Sequence, residues 1–352
     1  MKNKLFPILL LISLLLQCLM LPSCKEEEKL QKYSDYSFEY FDTVSSIVGY
    51  AKDQEEFDSV SEYALSLLGE YHRLYTIYHR YEGLENLCTI NDLKDGAHRT
   101  VKVDRRIIDM LLFSKEAYRL TNGAVNIAMG SVLSIWHDYR TLGSDDPFNS
   151  SLPPMEMLTE AAKHTDIECL VIDEESCTVT ITDPKMKLDV GAIAKGYAVE
   201  MVAKALEDMG VTGYVLNVGG NVRAIGRKGD GTLWKVGIED PKDTDGEYVA
   251  YLHISDQAIV TSGSYQRYYI VNGKRYHHII SKDTLMPAEG FLSVSVLCKN
   301  SAYGDALSTA LFCMTLQDGL ALVESMADTE VMWITSDGEK HFSSGFMQYT
   351  SE

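Results

Sequence analysis

Basic residues are scarce in this chain. Its 352 residues include 32 Lys and Arg against 51 Asp and Glu, a formal net charge of −19. A general nucleic-acid binder needs a basic footprint, so that class is excluded, and no nucleic-acid partner is expected. A metal-assisted nucleotide site stays open, because local charge can differ from the total. Metal-type Cys-x-x-Cys spacing is also absent. Of seven cysteines, Cys18 and Cys24 fall in the amino-terminal segment, leaving Cys88, Cys169, Cys177, Cys298 and Cys313. Cys169 and Cys177 flank an expected hairpin and are near enough in sequence to pair. Cys298 and Cys313 lie in apolar runs and read as core thiols. No disulfide framework is expected. Beyond the amino-terminal segment there is no internal repeat, no low-complexity block and no apolar run long enough to span a bilayer. What remains is globular composition, 45% hydrophobic and 24% charged, which rules out a disordered or collagen-like chain. The length suits one large domain or two lobes.

The amino end is set apart from that body. Lys2 and Lys4 precede an apolar run from Leu5 to Leu16, followed by Leu21-Pro22-Ser23-Cys24. A basic start, a short apolar stretch and a small residue before the boundary are the pattern of a secretory signal. The tail of the segment resembles a bacterial lipobox. We therefore expect a signal peptide over residues 1–23, a lipidated Cys24, an acidic tether over 24–36 and a folded domain over 37–352. The expected location is the bacterial cell envelope, as a periplasm-facing lipoprotein anchored to a membrane.

Within the body, helical spacing predicts a helix from about Glu56 to Arg80 and a second one capped by Asp104 and closed before Gly123. The polar stretch Gly143 to Pro154 reads as a loop. Strands are expected over 169–173, 178–182 and 214–217, with a helix from Ala192 to Met209 closed by Gly210. The last third reads as antiparallel sheet, with Asn272-Gly273 as a hairpin turn, and a helix follows from Tyr303 to Met314. Strands mixed with helices, without β-α-β alternation, predict an α+β fold.

Three local patterns can carry chemistry. In Leu188-Asp189-Val190-Gly191-Ala192-Ile193-Ala194-Lys195 a strand ends on an acid, glycine turns the chain, and a helix opens with lysine in its first turn. Free N–H groups and the helix dipole there suit a phosphate, although an ordinary strand-to-helix turn looks the same. Neither Gly-x-Gly-x-x-Gly nor Gly-x-x-x-x-Gly-Lys-Ser/Thr is present. On a later helix, Asp305 and Thr309 stand four apart and share a face. Hard oxygen donors of this kind suit Mg²⁺; a helix-dipole acid and a buried threonine have the same spacing. Finally, His277 and His278 are adjacent on a strand and point to opposite faces, so only one can enter a given pocket. Either is a candidate general base or a structural histidine. The turns Asn217 to Asn221 and Thr261-Ser262-Gly263 either admit a ligand to the backbone or only turn the chain.

Jointly, these pieces resemble the ApbE family, the FAD:protein FMN transferases. The resemblance runs in order through Phe41-Asp42-Thr43, Tyr75 to Tyr78, Thr89-Ile90-Asn91, Gly123 to Ala128, Leu188 to Tyr197, Asn217 to Asn221, Thr261 to Tyr265, His278-Ile279-Ile280 and Asp305 to Ala310. It implies mixed sheets with packed helices and an FAD pocket between two lobes of one compact body. It also implies Mg²⁺-dependent transfer of FMN from FAD to a Thr or Ser hydroxyl of a flavin-carrier protein, releasing AMP. By position, Asp305 and Thr309 match the metal ligands, Ala192 supplies a carbonyl, and Ser308 lies where some members add a contact. Phe41, Tyr78, Ala124, Val125, Asn126, Asp189, Lys195 and Ile279 fall where the family lines its FAD pocket. His278 matches the catalytic histidine.

The chain departs from that pattern at Ser281-Lys282, where Asp-Pro is usual, and at Thr284-Leu285 in place of Thr-Gly, while Pro287 is kept. Asn126 and Asn221 stand where Asp is common. The missing acid at Ser281 is expected to loosen His278. Two alternatives follow from the same pocket: a Mg²⁺-dependent FAD pyrophosphatase giving FMN and AMP, or a non-catalytic FAD-binding lipoprotein.

Overall fold

The computed structural model describes residues 29–92, 100–242 and 246–350. The expected signal segment and Cys24 lie outside them. In chain order, β1 (Gln31–Ser37) and β2 (Ser45–Ala51) lead into α1 (Gln54–Tyr75) and the short α2 (Leu87–Asn91). Strand β3 (Thr100–Lys102) precedes α3 (Arg105–Leu120), α4 (Gly130–Asp145) and α5 (Met155–Ala162), and β4 (Leu170–Asp173) and β5 (Thr178–Ile181) precede α6 (Ala194–Asp208). Then come β6 (Tyr214–Val218), β7 (Asn221–Ile225), β8 (Trp234–Glu239), β9 (Tyr248–Ile254), β10 (Ala258–Gly263), β11 (Tyr268–Val271), β12 (Lys274–His277) and β13 (Phe291–Cys298). Helices α7 (Ser301–Cys313) and α8 (Leu316–Glu324) and strands β14 (Glu330–Thr335) and β15 (Lys340–Phe342) follow, and a 3-10 turn over Phe346–Tyr349 comes last.

The named strands pair antiparallel throughout. Eight form one sheet in the order β1-β2-β6-β7-β10-β13-β14-β15, and β3-β5-β4, β8-β9 and β11-β12 form smaller ones. This is the α+β arrangement expected. Residues 31–36, read from sequence as tether, instead form the edge strand β1. Tyr33 stacks on Phe57 with ring centroids 5.5 Å apart, and Ser61 donates to Asp35 at 2.7 Å. The Tyr33 ring and the Asp35 carboxylate, on the same side of the strand, dock it on α1.

Helix α1 starts where Asp53 accepts from the Glu56 N–H at 2.9 Å. It stops at Tyr75 rather than Arg80, because Thr76 turns extended and Asn86 binds the carbonyls of Arg73 and His79 at 2.9 and 2.8 Å. Tyr78 thereby leaves the helix. The Asp104 cap is as read, with its carboxylate 2.9 Å from the Arg106 N–H. The expected loop at 143–154 is partly helix: α4 runs to Asp145. Gly143 serves packing, since a Cβ there would lie 2.6 Å from the Tyr269 ring. Cys169 and Cys177 are free thiols and form no pair.

The principal core lies between the large sheet and α1, α3 and α6, and a second surrounds Trp333, Phe312 and Leu311. A third covers the opposite sheet face around Trp234 and Met332. A small fourth cluster of Trp136, Tyr269, Val271 and Ile280 fastens α4 to the β11-β12 hairpin. Trp136 also donates from its indole N–H to the Leu285 carbonyl at 2.9 Å. The candidate site forms where this hairpin unit meets the starts of α6 and α7.

Candidate functional site

The Leu188 segment is held in place by side-chain mimicry of a strand. Asn91 accepts from the Leu188 N–H at 2.7 Å and donates to its carbonyl at 2.8 Å, while the Asp189 N–H reaches the Ile127 carbonyl at 2.8 Å. The Asp189 carboxylate accepts from the Gly191 N–H at 2.9 Å. Burial pushes its pKa up. Helix α6 begins two residues after Ala192. A regular helix would direct the Gly196 N–H at the Ala192 carbonyl; here it donates to Asp305 at 2.8 Å instead. Asp305, only 3% exposed, also faces Lys195, with Nζ 3.6 Å from Oδ1.

Hydroxyls gather one turn further along this helix, where that of Ser308 donates to the Asp305 backbone carbonyl at 3.0 Å. Ser262, at the end of β10, lies 2.8 Å from the Ser308 hydroxyl and 3.4 Å from that of Thr309. One carboxylate, three hydroxyls and a carbonyl outside the helical ladder are a hard-oxygen donor set. Among the described residues no group of three or more His, Cys, Asp or Glu is placed to hold a metal. The donor set therefore fits a Mg²⁺ that keeps waters and takes phosphate oxygens, not an all-protein cage.

His278 follows directly on β12. Its backbone N–H and its Nδ1 both meet the Arg267 carbonyl, at 3.1 and 3.3 Å. A carbonyl only accepts, so Nδ1 carries the proton and Nε2 keeps the lone pair. Burial, and then the charges of Arg267, Arg140 and Lys195, lower its pKa to about 3. His277 points the other way, donating from Nε2 to the Ala288 carbonyl at 2.8 Å and packing edge-on against Phe312. It lines a cleft of about 930 Å³ on the far side of the hairpin, which none of the expected site residues borders.

Ser281 does not support His278. Its hydroxyl accepts from the Asp283 N–H at 3.3 Å, and its backbone closes the loop through Leu285 and Met286. The contact to the His278 ring comes instead from the Arg267 carbonyl. Leu285, at the usual glycine position, has φ of +58°, a left-handed conformation that costs a side chain about 1–2 kcal/mol.

The remaining candidates divide. Phe41 sits in a turn with φ of +56°, its N–H on His72 Nδ1 at 3.1 Å. Tyr78 is 53% exposed and packs its ring 5.2 Å from His137, near Asp189 and Arg140. Ala124 is half-buried, but Val125 and Ile279 are core side chains. Only their backbones can face a ligand. Asn126 spends its amide on the chain itself, with Oδ1 accepting from Ala128 and Nδ2 donating to the Thr165 carbonyl, both at 2.9 Å.

Residues 41–333 match the model of the ApbE family. The chain belongs to that family. Among curated relatives, the FAD:protein FMN transferase of Klebsiella pneumoniae is 30% identical over 281 residues, 77% of this chain and 84% of the relative. That of Vibrio cholerae is 33% identical over 244 residues, 68% and 71% respectively. Among solved structures, the ApbE protein of Thermotoga maritima superposes with a TM-score of 0.79 at 28% identity, covering 92% of this chain and all of that one. The flavin transferase ApbE of Vibrio cholerae gives 0.74 at 25% identity, with 91% and 99% covered.

Within this ApbE fold, the sequence pattern passed over four groups that the structure brings to the site. Ser262 was visible only as part of a Thr-Ser-Gly turn. His137 and Arg140 lie on α4 in a stretch with no motif, and Arg267 in a polar loop. Spacing along one element cannot reveal a group that reaches the site from another.

Proposed function

We propose that this chain transfers FMN from FAD to a Thr or Ser hydroxyl of a flavin-carrier protein, with Mg²⁺ and with release of AMP. The observation that carries it is the buried Asp305, which accepts from the Gly196 N–H at 2.8 Å and faces Lys195 at 3.6 Å, with the Ser308 and Thr309 hydroxyls one turn further along its helix against Ser262. The family membership and the activity of the relatives agree with it. Asp305, Thr309, Ser308 and the Ala192 carbonyl are the residues that would hold Mg²⁺, and Ser262 supports their hydroxyls. When bound, the ion supplies Lewis-acid neutralisation of the FAD pyrophosphate charge.

The chain's own groups then divide the work. Phe41, Tyr78, Ala124 to Asn126, Asp189 and Ile279 position the flavin half, and Lys195 with the Gly191 turn binds phosphate. His278 Nε2 takes the proton of the incoming hydroxyl as its oxygen attacks the FMN-side phosphorus in line with departing AMP. Lipidation at Cys24 would hold the enzyme on an envelope membrane, facing the periplasm. With β1 beginning at Gln31, the folded body would then sit close to the lipid surface.

The test incubates the protein, without residues 1–24, with FAD, Mg²⁺ and a candidate carrier domain. Intact carrier mass and released nucleotides are read from one tube. A carrier heavier by one FMN with matching AMP supports the transferase. FMN and AMP with an unmodified carrier would replace it by the pyrophosphatase, and bound FAD without AMP by the non-catalytic binder.

A further inference from the structure

Two arginines at the site have no acidic partner. Among the described residues, Arg80, Arg105, Arg106 and Arg223 each pair with a carboxylate, whereas Arg73, Arg119, Arg140, Arg227, Arg267 and Arg275 have none within 4.0 Å; of the unpaired ones Arg140 alone is not exposed, and the charges of Arg140 and Arg267 act on His278. In a chain with 51 acidic residues, an unpaired and half-buried Arg140 calls for a cause. Leaving a guanidinium partly desolvated without a counter-charge is costly unless an anion arrives.

Both are anchored so that they flank the same place. Arg140 donates through Nη2 to His137 Nδ1 at 3.1 Å, and the Tyr78 ring packs tilted against His137. Arg267 donates through Nη2 to the Asp42 carbonyl at 3.3 Å, while its own carbonyl holds His278. Both charges act on Tyr78 and on His278. Asp189 lies within electrostatic range of Arg140 but forms no ion pair with it within 4.0 Å, and its Oδ1 accepts from the Gly191 N–H. Lys195, by contrast, already has Asp305.

We propose that Arg140 and Arg267 form a clamp on the FMN-side phosphate, the one that is transferred, while Lys195 and the Asp305 cluster serve the phosphate that leaves. The inference rests on the FMN-transfer reading and adds to it which cations hold which phosphate. A guanidinium presents a planar fork suited to two phosphate oxygens. In the step, the acceptor oxygen forms its bond to phosphorus as the bond to AMP breaks. AMP leaves with that electron pair, the hydroxyl proton goes to His278 Nε2, and the two arginines stay charged throughout.

The test measures binding of FMN and riboflavin by flavin fluorescence quenching and of AMP by calorimetry. It uses the wild-type protein, Arg140→Ala, Arg140→Lys and Arg267→Ala, each with a native circular-dichroism spectrum. Each alanine variant is expected to bind FMN on the order of tenfold to a hundredfold more weakly, as for lost charge-assisted hydrogen bonds. Riboflavin and AMP affinities are expected to stay unchanged, and Arg140→Lys to recover part of the loss. Unchanged FMN affinity, or parallel loss of FMN and riboflavin, would overturn the clamp. If the wild-type protein bound neither FMN nor FAD, the transferase reading would fall. Inorganic pyrophosphate would then decide the clamp alone: weaker binding in the variants supports it, and equal binding overturns it.

Discussion

His278 owes its chemistry to neighbours that are distant in sequence. With its pKa lowered to about 3 from the ordinary 6.5, the ring is neutral in the free protein through the range where an ordinary histidine titrates. The acid limb of kcat/KM due to this group is therefore expected well below about pH 6.5. The same shift acts on stability: between those two values the unfolded chain binds a proton that the folded one refuses. The contribution is present above the unfolded pKa and is lost as pH falls through this window. Urea midpoints of wild type and His278→Gln, followed against pH, should diverge only there; parallel curves would remove the shift. Asp305 has two duties that substitution can part. Asp305→Asn keeps an acceptor for the Gly196 N–H and is expected to stay folded while losing Mg²⁺-dependent turnover. Asp305→Ala should additionally cost about 1–3 kcal/mol for the unsatisfied N–H. Near-wild-type activity in either at saturating FAD would contradict the metal assignment. Because the Arg267 carbonyl fixes His278, Ser281→Asp is expected to leave the transfer rate unchanged; a marked gain would show that the acid is missed.

At the scale of elements, the decisive contact is between α6 and α7. A Cβ on Gly196 would stand 2.3 Å from the Ser301 carbonyl oxygen and 2.4 Å from the Asp305 Cβ. Backbone cannot swing aside as a side-chain tip can, so only glycine lets the two helices approach. Gly196→Ala is expected to cost about 1–3 kcal/mol by overpacking. By moving Lys195 away from Asp305, it should also weaken FAD and metal binding together. Denaturant unfolding and a Mg²⁺ titration of the transfer rate would show both; full stability would mean the helices are free to part.

At the scale of the whole molecule, a buried ion pair binds the layers. Glu200 and Arg223, 2% and 5% exposed, pair at 3.3 Å between α6 and β7. Glu200 also accepts from the Ser301 N–H at 2.8 Å and so fixes the start of α7. Removing one partner leaves the other charge stranded, so Arg223→Met is expected to destabilise by about 3–5 kcal/mol. The double change Glu200→Leu with Arg223→Met should recover part of the loss, as read by urea unfolding. Equal stability of the single variant and wild type would show that water reaches the pair.

Local patterns carried much of this protein. The α+β class, the Asp104 cap, the Asn272-Gly273 hairpin and the Asp305/Thr309 face were legible because each depends on residues within a turn or two of one another. Other boundaries were misread where a distant group intervened. Helix α1 ends early because Thr76 turns extended and Asn86 takes the Arg73 carbonyl, β1 forms because Phe57 and Ser61 receive Tyr33 and Asp35, and Gly143 belongs to packing against Tyr269. The sequence by itself determined which residue types stand at the strand-to-helix turn, on α7 and at His278. Only the tertiary structure decided that Ser262 joins Ser308 and Thr309, that the charges of Arg140 and Arg267 reach the imidazole, and that the Ser281 hydroxyl bonds within its own loop. Charge and hydrogen bonding act through space over a few ångströms, whereas spacing along the chain reports only the faces of single elements.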